Sequence, residues 1–174
     1  MTIGKRLDIK GPAMVFVTTT TVDRIPAFYN KIVRDTVITQ LEETAKHFGI
    51  SLIGYVLMPS HLHALFGLPQ IELLSKFMQS FKSLTSRKLK ELEFGKLKDK
   101  LWEKDGFRLW RPRFDDVIIT SEKQFKIKLD YIHNNPVKAG LVNEPKGWLY
   151  SSAEDWLGGS KGMLKVDKYF EWTK

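Results

Sequence analysis

Apolar residues recur along this chain with two distinct periods, and the switches between them mark out its elements. Met14–Val22 is dense in Val, Phe and Thr and ends at Asp23, which predicts a strand. The four consecutive threonines are β-branched strand formers here rather than low-complexity sequence. Asn30 then offers a cap for a helix running to about Phe48. Val33, Val37, Leu41 and Ala45 share one face of it, and Gly49 ends it. His47 in its last turn fits the plain role of a partial cation at a helix C-terminus. Ile50–Met58 is a second apolar strand, which Pro59-Ser60 breaks. His61–Leu68 predicts a third strand, with Leu62, Ala64, Phe66 and Leu68 on one face and His61, His63 and Leu65 on the other.

Helical spacing returns over Ile71–Leu92, where Leu74, Phe77, Met78, Phe81 and Leu84 form an apolar stripe and lysines and serines lie opposite. A polar, charged connector follows to about Asp105. Phe107–Thr120 reads as loop and then strand, with Val117-Ile118-Ile119 as its apolar end. Ser121 with Gln124 three residues later signals another helix start. That helix should reach about Asn135, where Pro136 stops it. Trp148 and Trp156 lie in a tail expected to fold back over the sheet. Strands two and three are joined by about two residues, so they must be antiparallel. The order predicts an α+β sandwich: one antiparallel sheet with helices on one face, forming a single domain over residues 1–174.

Composition narrows the class. The chain has 174 residues, 43% of them hydrophobic and 28% charged, and no cysteine, so thiolate metal sites and disulfides are excluded. No apolar run approaches a membrane span, and Ala13–Val17 behind Lys5, Arg6 and Lys10 is too short for a signal peptide. A cytoplasmic protein is expected. The net charge of +8 is concentrated between Lys76 and Arg113, where twelve basic residues face five acidic ones. A polyanion such as nucleic acid fits that concentration, and so does a solvated helix face.

Three groups of residues carry candidate chemistry. His61 and His63, two apart on a strand, point the same way and can share a metal ion; a solvated histidine pair is the plain alternative. On the late helix Tyr131 and Asn135 stack four apart, with Lys128 one turn before the tyrosine, while Phe125, Leu129 and Ile132 share the face that packs on the sheet. A phenol can attack phosphorus if a nearby cation lowers its pKa. Asn135 can add an amide oxygen to a metal site, and Lys128 can steady a phosphate. A half-buried amphipathic tyrosine is equally ordinary. His133 points away from Tyr131 around the helix and is read as structural. In Lys104–Phe114, Phe107, Trp110 and Phe114 interleave with Arg108, Arg111 and Arg113, a composition suited to stacking unpaired bases and holding phosphates, or to a plain core edge. Lys82, Arg87 and Lys88 extend this basic surface. Asp115 and Asp116 either assist a metal or simply end the loop. Glycine-rich phosphate loops, nucleophile elbows and zinc helices are absent from the sequence.

The segments YVLMPSHLHALF (Tyr55–Phe66), LWRPRFDDVI (Leu109–Ile118), YIHNNPVKAGLV (Tyr131–Val142) and WLYSSAEDW (Trp148–Trp156) together resemble the single-tyrosine HUH transposases, and within them the REP-associated tyrosine transposases. The resemblance implies a ferredoxin-like (RRM-like) antiparallel sheet with the HUH motif on a central strand. It implies His61, His63 and Asn135 as metal ligands for Mg²⁺ or Mn²⁺ and Tyr131 as nucleophile. The activity implied is cleavage and rejoining of single-stranded DNA at hairpin (palindromic) sites through a 5′-phosphotyrosine, without ATP. An imidazole pair alone would suggest zinc or manganese first. Two departures stand out: Ser60 precedes His61 where relatives often have Asn, and Asn135 stands where insertion-sequence enzymes usually carry Gln. Two other functions compete with a transposase: a domesticated hairpin-DNA binder without strand transfer, and a replication initiator or relaxase, which the chain length disfavours. Homodimer and monomer both stay open.

Overall fold

The computed structural model describes residues 9–92 and 94–171, so Lys5 and Arg6 of the basic N-terminal segment lie outside the described residues. The strand former run gives β1, Ala13–Thr20. Asn30 caps α1, Lys31–Phe48, by accepting the Val33 N–H at 2.8 Å, and Gly49 closes it in the left-handed region at φ 64°. That conformation is one glycine adopts without a Cβ penalty. Strands β2 (Ser51–Met58) and β3 (His61–Leu68) form a hairpin across Pro59-Ser60. Helix α2 spans Leu73–Leu89. It is shorter than the Ile71–Leu92 span of helical spacing; Leu84 is only half-buried, and Thr85 and Leu89 complete the buried face.

The connector after α2 carries structure that its charge conceals. A single helical turn, α3 (Lys98–Leu101), leads into a two-residue hairpin of β4 (Trp102–Glu103) and β5 (Gly106–Phe107), anchored by buried Phe94 and Leu101. Strand β6, Asp115–Ile119, and helix α4, Glu122–Lys138, follow. Ser121 accepts the Gln124 N–H at 3.2 Å, and Gln124 accepts the Thr120 N–H rather than closing on the cap itself. Pro136 does not stop α4, as its sequence position suggested. Its fixed φ suits a helix, and although it forgoes the N–H that would bond Ile132 and crowds that carbonyl, the helix runs on to Lys138, two residues beyond the proline.

The sheet order is β2-β3-β1-β6 with every neighbouring pair antiparallel, the ferredoxin-like arrangement, and β3 is a central strand. The crossover helices α1 and α2 cover one face. Val15, Val17, Leu57, Leu62, Ala64, Phe66 and Leu68 meet Val33, Val37, Leu41, Phe77 and Phe81 there. The expectation of helices on one face holds for this pair and fails for α4. Leu129 and Ile132 of α4 pack on the opposite face, against Met14, Phe16, Ile53, Val56, Leu65 and Ile119. Gly54 permits this close seating, because a Cβ there would stand 2.8 Å from Leu129. The tail runs along the free edge of β2 and also folds back on the sheet, where Trp148, Trp156 and Phe170 pack against its apolar residues. Leu57 N–H donates to Tyr150, Ser152 N–H to Tyr55, and the Trp148 and Trp156 indoles donate to the Leu57 and Ile53 carbonyls. An edge closed in this way is protected from pairing with another chain. No helix among the described residues is long and apolar enough to cross a membrane.

Candidate active site

Because side chains alternate along a strand, β3 sends His61, His63 and Leu65 to the α4 side while Leu62, Ala64, Phe66 and Leu68 go the other way. His63 lies across from Thr18 on β1 and Val56 on β2, and His61 from Thr20 and Met58. The two rings sit 4.7 Å apart between centroids at 74°. Each Nδ1 has a hydroxyl neighbour: Thr18 Oγ1 at 2.8 Å for His63 and Ser60 Oγ at 3.2 Å for His61. In the tautomers that donate there, both Nε2 atoms keep their lone pairs. Burial keeps both rings neutral. His63 is 5% exposed and its pKa is pushed down to about 3 by burial, then by the charges of His61, Lys128 and Arg24. His61 is lowered by burial, partly offset by a hydrogen bond with Asn135. Neutral, oriented imidazoles are what a metal requires of its ligands.

Helix α4 brings the tyrosine to the same place. The Tyr131 hydroxyl is 3.4 Å from His63 Nε2 and the rings are 5.0 Å apart at 70°, while Phe16 stacks on His63 at 5.6 Å and meets Tyr131 edge-on at 6.0 Å. Tyr131 stays 38% exposed, so its hydroxyl is open to a ligand. Asn135, one turn on, reaches His61. The nucleophile candidate and both histidines therefore meet within one chain. Lys128 Nζ lies 4.4 Å from the Phe16 ring centroid and 5.9 Å from that of Tyr131. His133 turns inward as read from the sequence: it is buried, with Nε2 2.9 Å from Ser152 Oγ and a pKa pushed down to about 4 by burial.

The donor set fits a divalent cation only if an amide joins it. No group of three His, Asp or Glu side chains that could hold a metal exists among the described residues. Asp115 pairs with Thr18 on the far side of β1 from His63, and Asp116 with Val17, which faces α1 and α2. Neither joins the histidines in such a group. Two imidazole nitrogens and the Asn135 oxygen are the remaining protein donors, which leaves the other positions to water and phosphate oxygens.

The basic candidates separate into two groups. Arg111 N–H donates to the Thr20 carbonyl and Val22 N–H to Leu109, so the arginine-rich segment continues along β1 at the end of the sheet where His61 lies. Arg108, Arg111 and Arg113 are exposed there, Arg108 paired with Glu103 at 3.2 Å. Trp110 is not a stacking platform. It is 5% exposed, packs against Phe28 and Phe81 and donates its indole N–H to Thr85 at 2.8 Å, because an amphipathic ring with a buried acceptor belongs in the core. Lys82 is likewise committed. Its ammonium donates to the carbonyls of Arg111 and Pro112 at 2.5 and 3.1 Å, and burial pushes its pKa down to about 8, so it braces the loop rather than meeting solvent. A groove of about 300 Å³ lies between α2 and this loop, lined by Ser83, Ser86, Arg108, Arg111 and Phe114. Arg87 and Lys88 are exposed on α2, in the layer behind the sheet, and Lys88 pairs with Glu43 at 3.0 Å. Thr18 and Arg24 lie in no motif, and only the strand register, which pairs Thr18 with His63, would have singled Thr18 out; Ser60 stands inside the motif as one of its departures, and its hydroxyl lies against His61 Nδ1.

The chain is similar to several known proteins. A Haemophilus influenzae protein assigned to the REP-associated tyrosine transposases is 28% identical over 177 residues, spanning 93% of this chain and 97% of its own. The REP-associated tyrosine transposase of Escherichia coli K12 is 27% identical over 115 residues, 66% of this chain and 59% of its own. A REP-associated tyrosine transposase solved bound to a REP hairpin shares the fold, with a TM-score of 0.72 at 21% identity over 97% of this chain and 93% of that one. The family model described as Transposase IS200 like matches residues 13–135, from the first strand through Asn135, and the chain belongs to that transposase family.

Proposed function

We propose that this chain is a metal-dependent transposase that cleaves and rejoins single-stranded DNA at hairpin-associated sites, with Tyr131 as the nucleophile. The observation that carries the reading is the 3.4 Å approach of the Tyr131 hydroxyl to His63 Nε2, which puts a phenol beside two neutral imidazoles in one chain. A hairpin partner is supported by the related transposase solved on a REP hairpin. His61, His63 and Asn135 would hold Mg²⁺ or Mn²⁺, which when bound supplies charge that polarises the scissile phosphate. Tyr131 Oη attacks phosphorus and the bond from phosphorus to the 3′ oxygen breaks. The phenolic proton is lost, the 3′ oxygen gains one, and a 5′-phosphotyrosine remains. Attack by a 3′-OH reverses these steps and restores the phenol. One phosphodiester is exchanged for another, so no ATP is consumed. Lys128, its Nζ 5.9 Å from the Tyr131 ring centroid, is placed to hold the phosphate that the tyrosine attacks. Arg108, Arg111 and Arg113 would hold the DNA backbone at the same end of the sheet.

The test is incubation with hairpin-bearing single-stranded oligonucleotides and Mn²⁺, followed by a denaturing gel. Wild type should give a covalent protein–DNA band that Tyr131→Phe abolishes with an unchanged melting temperature. Tight hairpin binding with no such band, on any substrate of the family, would instead make the chain a hairpin-binding protein without strand transfer.

A further inference from the structure

Leaving β1, the chain passes through Thr21 and then takes two successive left-handed residues, Asp23 at φ 48° and Arg24 at φ 53°. Side chains disfavour this region, and strain of this kind persists only where surrounding bonds over-determine it. Here they do. Arg24 N–H donates to the Thr21 carbonyl, Ile25 N–H to Val22, and the fully buried Thr21 hydroxyl to the Ile25 and Ser60 carbonyls at 2.7 and 3.0 Å. Thr21 N–H also donates to Ser60 at 2.9 Å. The strained turn is thus tied to the residue immediately before His61. What this geometry delivers is Arg24, an exposed guanidinium in no ion pair among the described residues. Thr20, just before this turn, pairs with His61 across β1 and β3, and Phe28 N–H just after it donates to the Pro59 carbonyl, so the turn that carries Arg24 wraps the β2–β3 connection next to the histidines. An unpaired cation on this turn, next to the strand end that carries His61 and His63, is well placed for an anion.

We propose that Arg24 is a strand-positioning residue that holds a backbone phosphate of the bound DNA at the mouth of the His61–His63 pair. The proposal deepens the strand-cleavage reading and rests on it. Its test compares wild type with Arg24→Ala, Arg24→Lys and Arg24→Gly, measuring hairpin-oligonucleotide affinity over a salt series and single-turnover adduct formation at saturating DNA with Mn²⁺. Losing one phosphate contact should lower the slope of log affinity against log salt by about one. The saturated adduct rate should fall at least about tenfold, because a misplaced phosphate is lost to in-line attack. Arg24→Lys should restore the slope and only part of the rate. Arg24→Gly, which relieves the left-handed strain, should melt no lower than wild type and still lose both. A slope and a saturated rate within about twofold of wild type in Arg24→Ala would overturn the proposal. So would loss of rate only in variants that also melt early. If wild type forms no adduct, the cleavage reading fails, and the salt slope of Arg24→Ala alone still decides whether Arg24 holds phosphate.

Discussion

Along β3, Leu62, Ala64, Phe66 and Leu68 enter a dry layer beneath α1 and α2, while His61 and His63 enter a thinner layer beneath α4 that also holds Phe16 and Tyr131. One strand thus serves two environments a single residue apart. The first is filled mainly with apolar side chains, its few buried polar groups such as Gln40, Thr44 and Thr85 bonded within their own helices, and supplies most of the burial that stabilises the sheet. The second buries two imidazoles and leaves a tyrosine partly open, an arrangement that gives up some stability to keep ligands neutral and a nucleophile reachable. The lesson is that register, more than position along the chain, decides whether a substitution in β3 unfolds the protein or silences it.

The sharpest way to break that contrast is a pair of substitutions three residues apart. Phe66→Ala removes a fully buried ring from the helix layer and should cost about 3–5 kcal/mol, read as a drop in the urea midpoint. His63→Ala should cost no more than about 1–2 kcal/mol yet abolish adduct formation, with hairpin affinity largely kept because phosphate contacts supply most of it. Equal loss of cleavage and binding in His63→Ala would count against its role as a metal ligand.

Acid should weaken the α4 layer and spare the other. His133, with a native pKa of about 4, and His63, at about 3, are both below the 6.5 expected of an unfolded histidine. Between those values the unfolded chain binds protons that the native state refuses. The stability these groups contribute is therefore complete above about pH 6.5 and is lost as the pH falls through the native pKa values. Each contributes a slope of about 1.4 kcal/mol per pH unit inside that window. His133→Gln, which can keep a bond to Ser152, should remove one share of the slope in urea midpoints measured between pH 7 and pH 5. An unchanged slope would mean that His133 is accessible to protons in the native state.

The same two layers differ in how legible they were in the amino-acid sequence. The helix layer follows from period alone: α1 has its Asn30 and Gly49 boundaries, and β3 its alternation, as read from local chemistry. The site was legible as far as its motif residues, since a spacing of two on a strand and four on a helix fixes which way His61, His63, Tyr131 and Asn135 point. Their meeting depends on α4 crossing to the far face of the sheet, which no local pattern encodes. Thr18 looked like one strand former among four, and becomes the partner of His63 only through its register across β1 and β3. Trp110 misled because its arginine neighbours suggested stacking, whereas the buried Thr85 hydroxyl two elements away decides its place. Pro136 misled because a missing donor usually ends a helix, whereas here it falls in the last turn of α4 and the helix continues past it to Lys138.

Trp110 and Arg111, adjacent in sequence, give the finest test of where the DNA surface begins. Trp110→Phe keeps most of the ring but strands the Thr85 acceptor, so it should cost about 1–2 kcal/mol while leaving hairpin affinity within about twofold once the protein is folded. Arg111→Ala should do the opposite. Its backbone N–H, which the substitution keeps, is what holds the loop against Thr20, so stability should stay within about 0.5 kcal/mol. Its guanidinium is exposed at the His61 end of the sheet, so its loss should lower the salt slope by about one and weaken every hairpin alike. Arg87→Ala, equally basic but carried on α2 behind the sheet, should move neither quantity. If Arg87→Ala and Arg111→Ala change the slope equally, the DNA runs over the helix layer, and the division of labour between the two faces of β3 does not extend to binding.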